Sequence, residues 1–231
     1  MRSLGIIGGI GPGSTIDYYQ TIIALYRERI GNGSYPPILI NSIDVQRVLA
    51  TVGAGELRAL VDWLVTELEK LARAGADFAI MASNTPHLVF DDIARQSPLP
   101  LISIVEKTCE VAKRHGFKRL ALFGTRFTMQ GASYRDVFSS DDIAVVIPEP
   151  KEVDYIHEKY MSELVDGIFL PETRAGLSAI VDRMAERNKI DGVILGGTEL
   201  PLILRAPSHN GIPFLNTTRI HCEAAVERMF S

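Results

Sequence analysis

The chain has 231 residues, 46% of them hydrophobic and 23% charged, with a net charge of −4. That length allows one large α/β domain or two small ones, and no basic block is long enough to suggest a nucleic-acid partner. Two cysteines, Cys109 and Cys222, are too few for a disulfide framework and do not suggest a structural zinc site. The start, MRSLGIIGG, runs straight into a glycine turn rather than a signal peptide, and no apolar run reaches about 18 residues. A cytoplasmic protein without a membrane partner is expected.

In chain order, eight short apolar runs read as strands: residues 4–9, 37–42, 78–83, 100–105, 119–124, 143–148, 192–197 and 213–217. Most are apolar on both faces, as strands covered by helices on both sides must be. Between them lie helical periods. Residues 14–30 place apolar side chains at 16, 19, 22, 23 and 26, with Ser14 as a candidate N-cap. Residues 54–76 form an amphipathic pattern stopped by Gly75, and 104–116 end the same way at Gly116. Residues 171–188 and 219–230 complete the set.

Strands alternating with helices predict βα units and parallel sheets. The pattern repeats, with four strands in residues 4–105 and four in 119–217. The third strand of each half ends in small residues followed by threonine, ASNTPH and GGTELP. The expectation is two similar Rossmann-like domains, each a parallel four-stranded sheet flanked by helices. Residues 1–98 plus 208–231 would form the first domain and 99–207 the second.

In open parallel sheets, ligands bind beyond the carboxyl ends of the strands. Those ends carry Gly8–Ser14, Asn41–Ser42, Ser83–Thr85, Gly124–Thr125 and Gly197–Glu199. Small hydroxyl and amide groups of this kind suit a carboxylate or other oxyanion. GGIGPGS at 8–14 falls short of the dinucleotide fingerprint, because Ser14 replaces the third glycine and Pro12 occupies the turn. Gly11 instead marks a tight strand-to-helix turn, which would either line a small-anion site or be purely structural.

His87 reads either as a structural histidine bracing the loop or as a general base, and Glu199 either as a helix-start partner or as a catalytic carboxylate. Thr125, Thr128 and Gln130 could bind substrate oxygens or simply cap a helix. Arg47 could meet a second acidic group of a ligand or remain on the surface. Cys109 and Cys222 lie mid-helix and read as packed, inert thiols.

LGIIGGIGPGSTIDYY, GADFAIMASNTPH, PLISIVE, LFGT, SELVDGIF, GVILGGTELPLIL and TRIHCEAAV, in this order and spacing, resemble the aspartate/glutamate racemase family, which also takes in hydantoin racemases, maleate isomerases and arylmalonate decarboxylases. The resemblance spans nearly the whole chain. It implies two α/β domains related by a pseudo-two-fold axis with the active site between them, and a homodimer. It also implies no metal, nucleotide or pyridoxal phosphate cofactor.

Family members place one cysteine in each half, so that one thiol removes the α-proton while the other returns one on the opposite face. Here Ser83 holds the first of these positions and Gly197 the second. The surrounding residues are retained: Asn84, Thr85 and His87 on one side, Thr198 and Glu199 on the other. The resemblance thus implies an amino-acid racemase acting on a small amino acid or carboxylate without the thiol pair. Its catalytic candidates are Ser83, Gly197, His87 and Glu199. Gly11, Arg47, Ser83, Asn84, Thr85, Thr125, Thr128 and Thr198 are the candidates for substrate binding. Two other readings fit the same residues: a related lyase, isomerase or decarboxylase that needs at most one proton transfer, and a non-catalytic carboxylate binder.

Overall fold

The computed structural model describes residues 1–231 and is an α/β protein of two compact units. The first comprises Met1–Ser103 and His221–Ser231, the second Ile104–Ile220.

The first unit is built on β1 (Leu4–Gly8), α1 (Pro12–Ile30), β2 (Ile38–Ser42), α2 (Val45–Gly53), α3 (Leu57–Arg73), β3 (Phe78–Met81) and α4 (Phe90–Gln96). Its sheet has the order β2-β1-β3 with all strands parallel, and Leu4 is in register with both Ile38 and Phe78. β1 and β3 are buried at every position, as their unbroken apolar sequences require. Leu4, Ile6, Phe78 and Ile80 pack with Tyr18, Ile22 and Tyr26 of α1, and with Cys222, Ala225, Val226 and Met229.

Three readings of this half are corrected. Helix α1 begins at Pro12, not Ser14, because proline is preorganised for the first helical position; Ser14 is buried inside the helix. The amphipathic run at 54–76 is preceded by a separate helix, α2, and α3 starts only at Leu57. The fourth strand at 100–105 shrinks to a single bridge between Ala79 and Leu101. Pro100 has no N–H to donate to a ladder and only accepts from Ala79 N at 2.9 Å, while Ile104 and Val105 are drawn into a helix.

The second unit contains α5 (Ile104–Arg114), β4 (Arg119–Gly124), α6 (Arg126–Gln130), α7 (Ser133–Ser139), β5 (Ala144–Val146), α8 (Pro150–Lys159), a π turn (Tyr160–Leu164), α9 (Pro171–Asn188), β6 (Gly192–Gly196), α10 (Leu200–Ile203), β7 (Ser208–His209) and β8 (Ile212–Asn216). The last helix, α11 (Thr217–Phe230), starts in this unit and ends in the first. The sheet order is β5-β4-β6-β8-β7. The first four strands run parallel, and β7 pairs antiparallel with β8.

Asn210 and Gly211, both at positive φ (47° and 81°), form the two-residue β7–β8 turn. This is the hairpin connection whose twist suits right-twisted strands, and Asn-Gly is its favoured sequence. On its other side β8 pairs parallel with β6, Ile194 in register with Leu215. The second unit therefore keeps residues 208–220, and the chain divides at 103/104 and 220/221 rather than at 98 and 208.

Candidate functional site

Because β1, β2 and β3 are parallel, their carboxyl ends lie along one edge of the first sheet, with Gly8 opposite Ser42 and Ile7 opposite Met81. The turn after β1 is held from within. Gly9 adopts φ +84°, and a Cβ there would lie 2.2 Å from the carbonyl oxygen of Ile43, so only glycine fits. Its N–H donates to Thr15 Oγ1 at 2.8 Å, and that hydroxyl donates to Gly11 O at 3.2 Å. Thr15, which the sequence reading passes over, is thus the clasp of GGIGPGS. Gly11 caps α1 without a side chain.

The loop after β3 is almost wholly sequestered: Ser83, Asn84 and Thr85 are 5–6% exposed and His87 is 3% exposed. His87 lies in a 3₁₀ turn, Thr85–Val89. Its Nδ1 is 3.0 Å from Ser83 O; since a carbonyl can only accept, Nδ1 carries the proton. The imidazole stacks on Phe90 at 5.0 Å and meets the edge of His221 at 6.2 Å. By the same logic His221 Nε2 donates to Ile102 O at 2.9 Å, and its bare Nδ1 accepts from the Tyr18 hydroxyl at 3.0 Å.

Burial, with His221 nearby, pushes His87 down to about 3, and burial pushes His221 down to about 4. Both rings are neutral at physiological pH. His87 therefore has no proton available as a general acid there beyond the one that grips the Ser83 carbonyl, and its geometry is that of a brace. The serine–histidine relay expected of a nucleophile would need the Ser83 hydroxyl, but the ring engages the backbone carbonyl instead.

Arg47 projects from α2 on an exposed face, its guanidinium 4.0 Å above the Trp63 ring. Trp63 Nε1 donates to Glu67 Oε1 at 2.9 Å, and Asn41 and Lys70 also donate to Glu67, each at 2.7 Å. Burial works to raise the Glu67 pKa, but these hydrogen bonds, Lys70 foremost, hold it below the usual carboxylate range. Arg47 is thus tethered by a cation–π contact to a side chain of an ionic cluster.

In the second unit the ends of β4 and β6 approach so closely that a Cβ on Gly124 would lie 2.6 Å from Gly196 O. Thr125 caps α6, its Oγ1 accepting from Thr128 N at 3.3 Å and pairing with Thr128 Oγ1 at 3.1 Å. Both threonines are buried. Arg126 is engaged elsewhere, with Asp154 at 2.8 Å, and its N–H donates to His157 Nδ1 at 3.2 Å. Gln130 is exposed.

After β6 come Gly197, Thr198 and Glu199, the last two 1% and 3% exposed. Thr198 Oγ1 donates to Glu199 Oε2 at 3.1 Å, and the Tyr160 hydroxyl donates to the same carboxylate oxygen. A Cβ on Gly197 would lie 2.4 Å from Tyr160 Cε2, 2.8 Å from its hydroxyl oxygen and 2.9 Å from Cζ. The phenol ring fills the space that a side chain at 197 would need. Tyr160 lies 39 residues before Glu199, in EKYMSEL, and no local motif marks it.

Neither cysteine is near these loops in sequence or chemistry. Burial, reinforced by Asp141, pushes the Cys109 thiol up to about 11, and Cys222 is fully buried, 3.9 Å from Tyr18 O. No group of three or more His, Cys, Asp or Glu side chains is placed to hold a metal ion, and no helix is long and apolar enough to cross a membrane.

Known proteins share this fold. A broad specificity amino-acid racemase, RacX, of Bacillus subtilis is 28% identical over 62% of this chain and 63% of its own, so the chain spans under two thirds of that relative. The crystal structure of PH1733, an aspartate racemase homologue from Pyrococcus horikoshii, superposes with a TM-score of 0.84 at 31% identity over 100% of both chains. A candidate Asp/Glu racemase from Yersinia pestis superposes with a TM-score of 0.89 at 29% identity, again over 100% of both. The family model described as Asp/Glu/Hydantoin racemase matches residues 7–225. The chain belongs to the Asp/Glu/hydantoin racemase family.

Proposed function

We propose that this protein is a cofactor-independent amino-acid racemase that moves the α-proton of a small amino acid or carboxylate. One observation carries the reading. A chain matched to racemases over residues 7–225 presents buried hydroxyl- and amide-lined loops, Ser83–Thr85 and Gly197–Glu199, at the carboxyl ends of parallel strands in its two units.

In this reading Asn84, Thr85, Thr125, Thr128 and Thr198, with the backbone at Gly11, hold the substrate carboxylate. Hydrogen-bond donors there stabilise the enediolate that forms when the α-proton leaves. Ser83 is a hydrogen-bonding group to the substrate, because its hydroxyl has no base poised beside it in the sequence and His87 is committed to the loop backbone. Arg47 would reach an acidic side chain of the substrate from the tethered position over Trp63. Thiol chemistry is not available at either loop, since serine and glycine stand at 83 and 197 and Cys109 is held protonated. The proton must therefore move between oxygen atoms and carbon. The family resemblance further supports a cytoplasmic homodimer.

The test is to incubate the purified protein, without added pyridoxal phosphate or metal, with single enantiomers of aspartate, glutamate and a panel of small amino acids. Chiral chromatography should show conversion in both directions toward equal amounts. Calorimetric binding of these acids with no interconversion would overturn the reading in favour of a carboxylate binder.

A further inference from the structure

Tyr160 is buried and polar, and the proposed reaction leaves it unused. Four observations set it apart from a packing tyrosine. Its ring occupies the side-chain space of Gly197, within 2.9 Å of where a Cβ would stand by three separate atoms. Its hydroxyl donates to Glu199 Oε2, which also accepts from Thr198. It begins the π turn after α8, whose widened backbone closes with Val165 N on Tyr160 O at 3.0 Å; single π turns of this kind are frequent at functional sites. Finally, it stands at the carboxyl end of β6, where a parallel sheet presents its ligand-binding loops.

The electrostatics agree with this placement. Burial and the Glu199 carboxylate hold the phenol well above its ordinary pKa, while the Glu199 backbone N–H and the Thr198 hydroxyl act in the opposite sense on the phenol oxygen. The phenol therefore keeps its proton at rest, with the Glu199 carboxylate as the acceptor for its hydrogen.

We propose that Tyr160, paired with Glu199, is the proton-transfer group of the second unit, seated in the space that would otherwise belong to a side chain at 197. The inference rests on the racemase reading. In one direction the Tyr160 hydroxyl oxygen takes the α-proton as its own phenolic proton passes to Glu199 Oε2. The C–H bonding pair remains on the substrate as the enediolate. Tyr160 ends as a neutral phenol and Glu199 as a neutral carboxylic acid. In the other direction Glu199 returns its proton to Tyr160 as Tyr160 gives one to carbon. Nothing is oxidised or reduced: solvent water supplies the proton on the opposite face, the hydroxide left is neutralised by the proton that Glu199 releases, and the dyad returns to its starting state.

The experiment uses the full chain and Tyr160→Phe, which keeps the ring and removes only the hydroxyl. The racemisation kcat should fall by about 100-fold or more with KM within roughly three-fold, the size expected for losing a general acid–base group. Exchange of the α-proton in deuterated water should become one-sided. It should persist for the enantiomer whose proton exchanges with solvent on the face opposite Tyr160 and be lost for the other. Glu199→Gln should give the same asymmetry. A packing role alone would reduce exchange of both enantiomers together.

A double variant, Tyr160→Ala with Gly197→Cys, places a thiol in the vacated space. It should recover racemisation at least about ten-fold over Tyr160→Ala alone, since a thiol is a competent acid–base group. Tyr160→Phe with kcat within three-fold of the wild type, or with equal loss of both exchanges, overturns the inference and leaves the racemase reading standing. A folded double variant with no recovery also overturns it. A wild-type protein that neither interconverts nor exchanges any amino acid overturns both.

Discussion

Replacing Gly197 by alanine is a small change with a large calculable effect. The added Cβ would sit 2.4 Å from Tyr160 Cε2 and 2.8 Å from its hydroxyl oxygen. Carbon atoms prefer about 3.5–4.0 Å, so the ring must retreat by roughly 1 Å within a packed interior. Forcing one methyl into such a core costs about 1–3 kcal/mol. If the ring moves, the hydrogen bond to the Glu199 carboxylate is also lost, worth about 1.5–3 kcal/mol for a charged partner.

Gly197→Ala should therefore destabilise the protein by about 2.5–6 kcal/mol. The same change in a Tyr160→Ala background should be neutral, or stabilising by about 0.4–1 kcal/mol, because the obstacle is gone and the unfolded chain loses freedom. Urea denaturation of the four proteins, followed by circular dichroism, gives the coupling energy directly. An equal cost in both backgrounds, or a cost below about 1 kcal/mol in the wild type, would refute the claim that Tyr160 fills the side-chain space of Gly197.

Acid should unfold the first unit through its two buried histidines. Their native pKa values, about 3 for His87 and about 4 for His221, lie below the unfolded value of 6.5, so the unfolded chain binds the extra protons. The stability they lend is complete above pH 6.5 and is lost as pH falls; from pH 6.5 to 5 the pair should cost about 3 kcal/mol. His87→Gln should halve that loss, and an unchanged slope would show that the ring is not buried neutral. Thr125→Ala should cost about 0.5–2 kcal/mol, since it removes the α6 cap and the partner of Thr128, and a thermal shift below about 1 °C would contradict that role. Iodoacetamide at pH 8 should leave both cysteines unmodified in the native state and the activity intact, because Cys109 is pushed up to about 11 and Cys222 is buried. Inactivation that tracks alkylation would point to a thiol mechanism.

The alternation of doubly apolar strands with amphipathic helices is legible in the sequence because burial on both faces leaves a mark at every residue. Residues 119–124 form β4 as read, and 171–188 form α9. What escapes such a reading depends on pairing rather than composition. PLISIV has the composition of a strand, but Pro100 cannot donate and the helical period claims Ile104 onward. The domain boundary is misplaced although part of its signal is present: Asn210-Gly211 ahead of the apolar run IPFL is a hairpin turn, while the parallel pairing of β8 with β6 that ties it to the second sheet leaves no local mark.

The small-residue loops at 83–85 and 197–199 are visible as strand ends. The clasp of Thr15 on Gly9 spans six residues and can be sought from the glycine cluster. His221 bracing the His87 loop, and Tyr160 against Gly197, join residues far apart in the chain. No local pattern predicts such contacts, and a glycine in a motif gives no sign of what fills the space beside it.

The central claim is that the α-proton of an amino acid moves on this protein without a thiol. The direct measurement is deuterium incorporation at the α-carbon of aspartate, glutamate and the small amino acids in deuterated water, read by NMR on enzyme pretreated with iodoacetamide. At least one amino acid should gain one α-deuterium from each enantiomer as the two interconvert. Binding of these acids with no α-deuterium in any of them, before or after alkylation, would contradict the account.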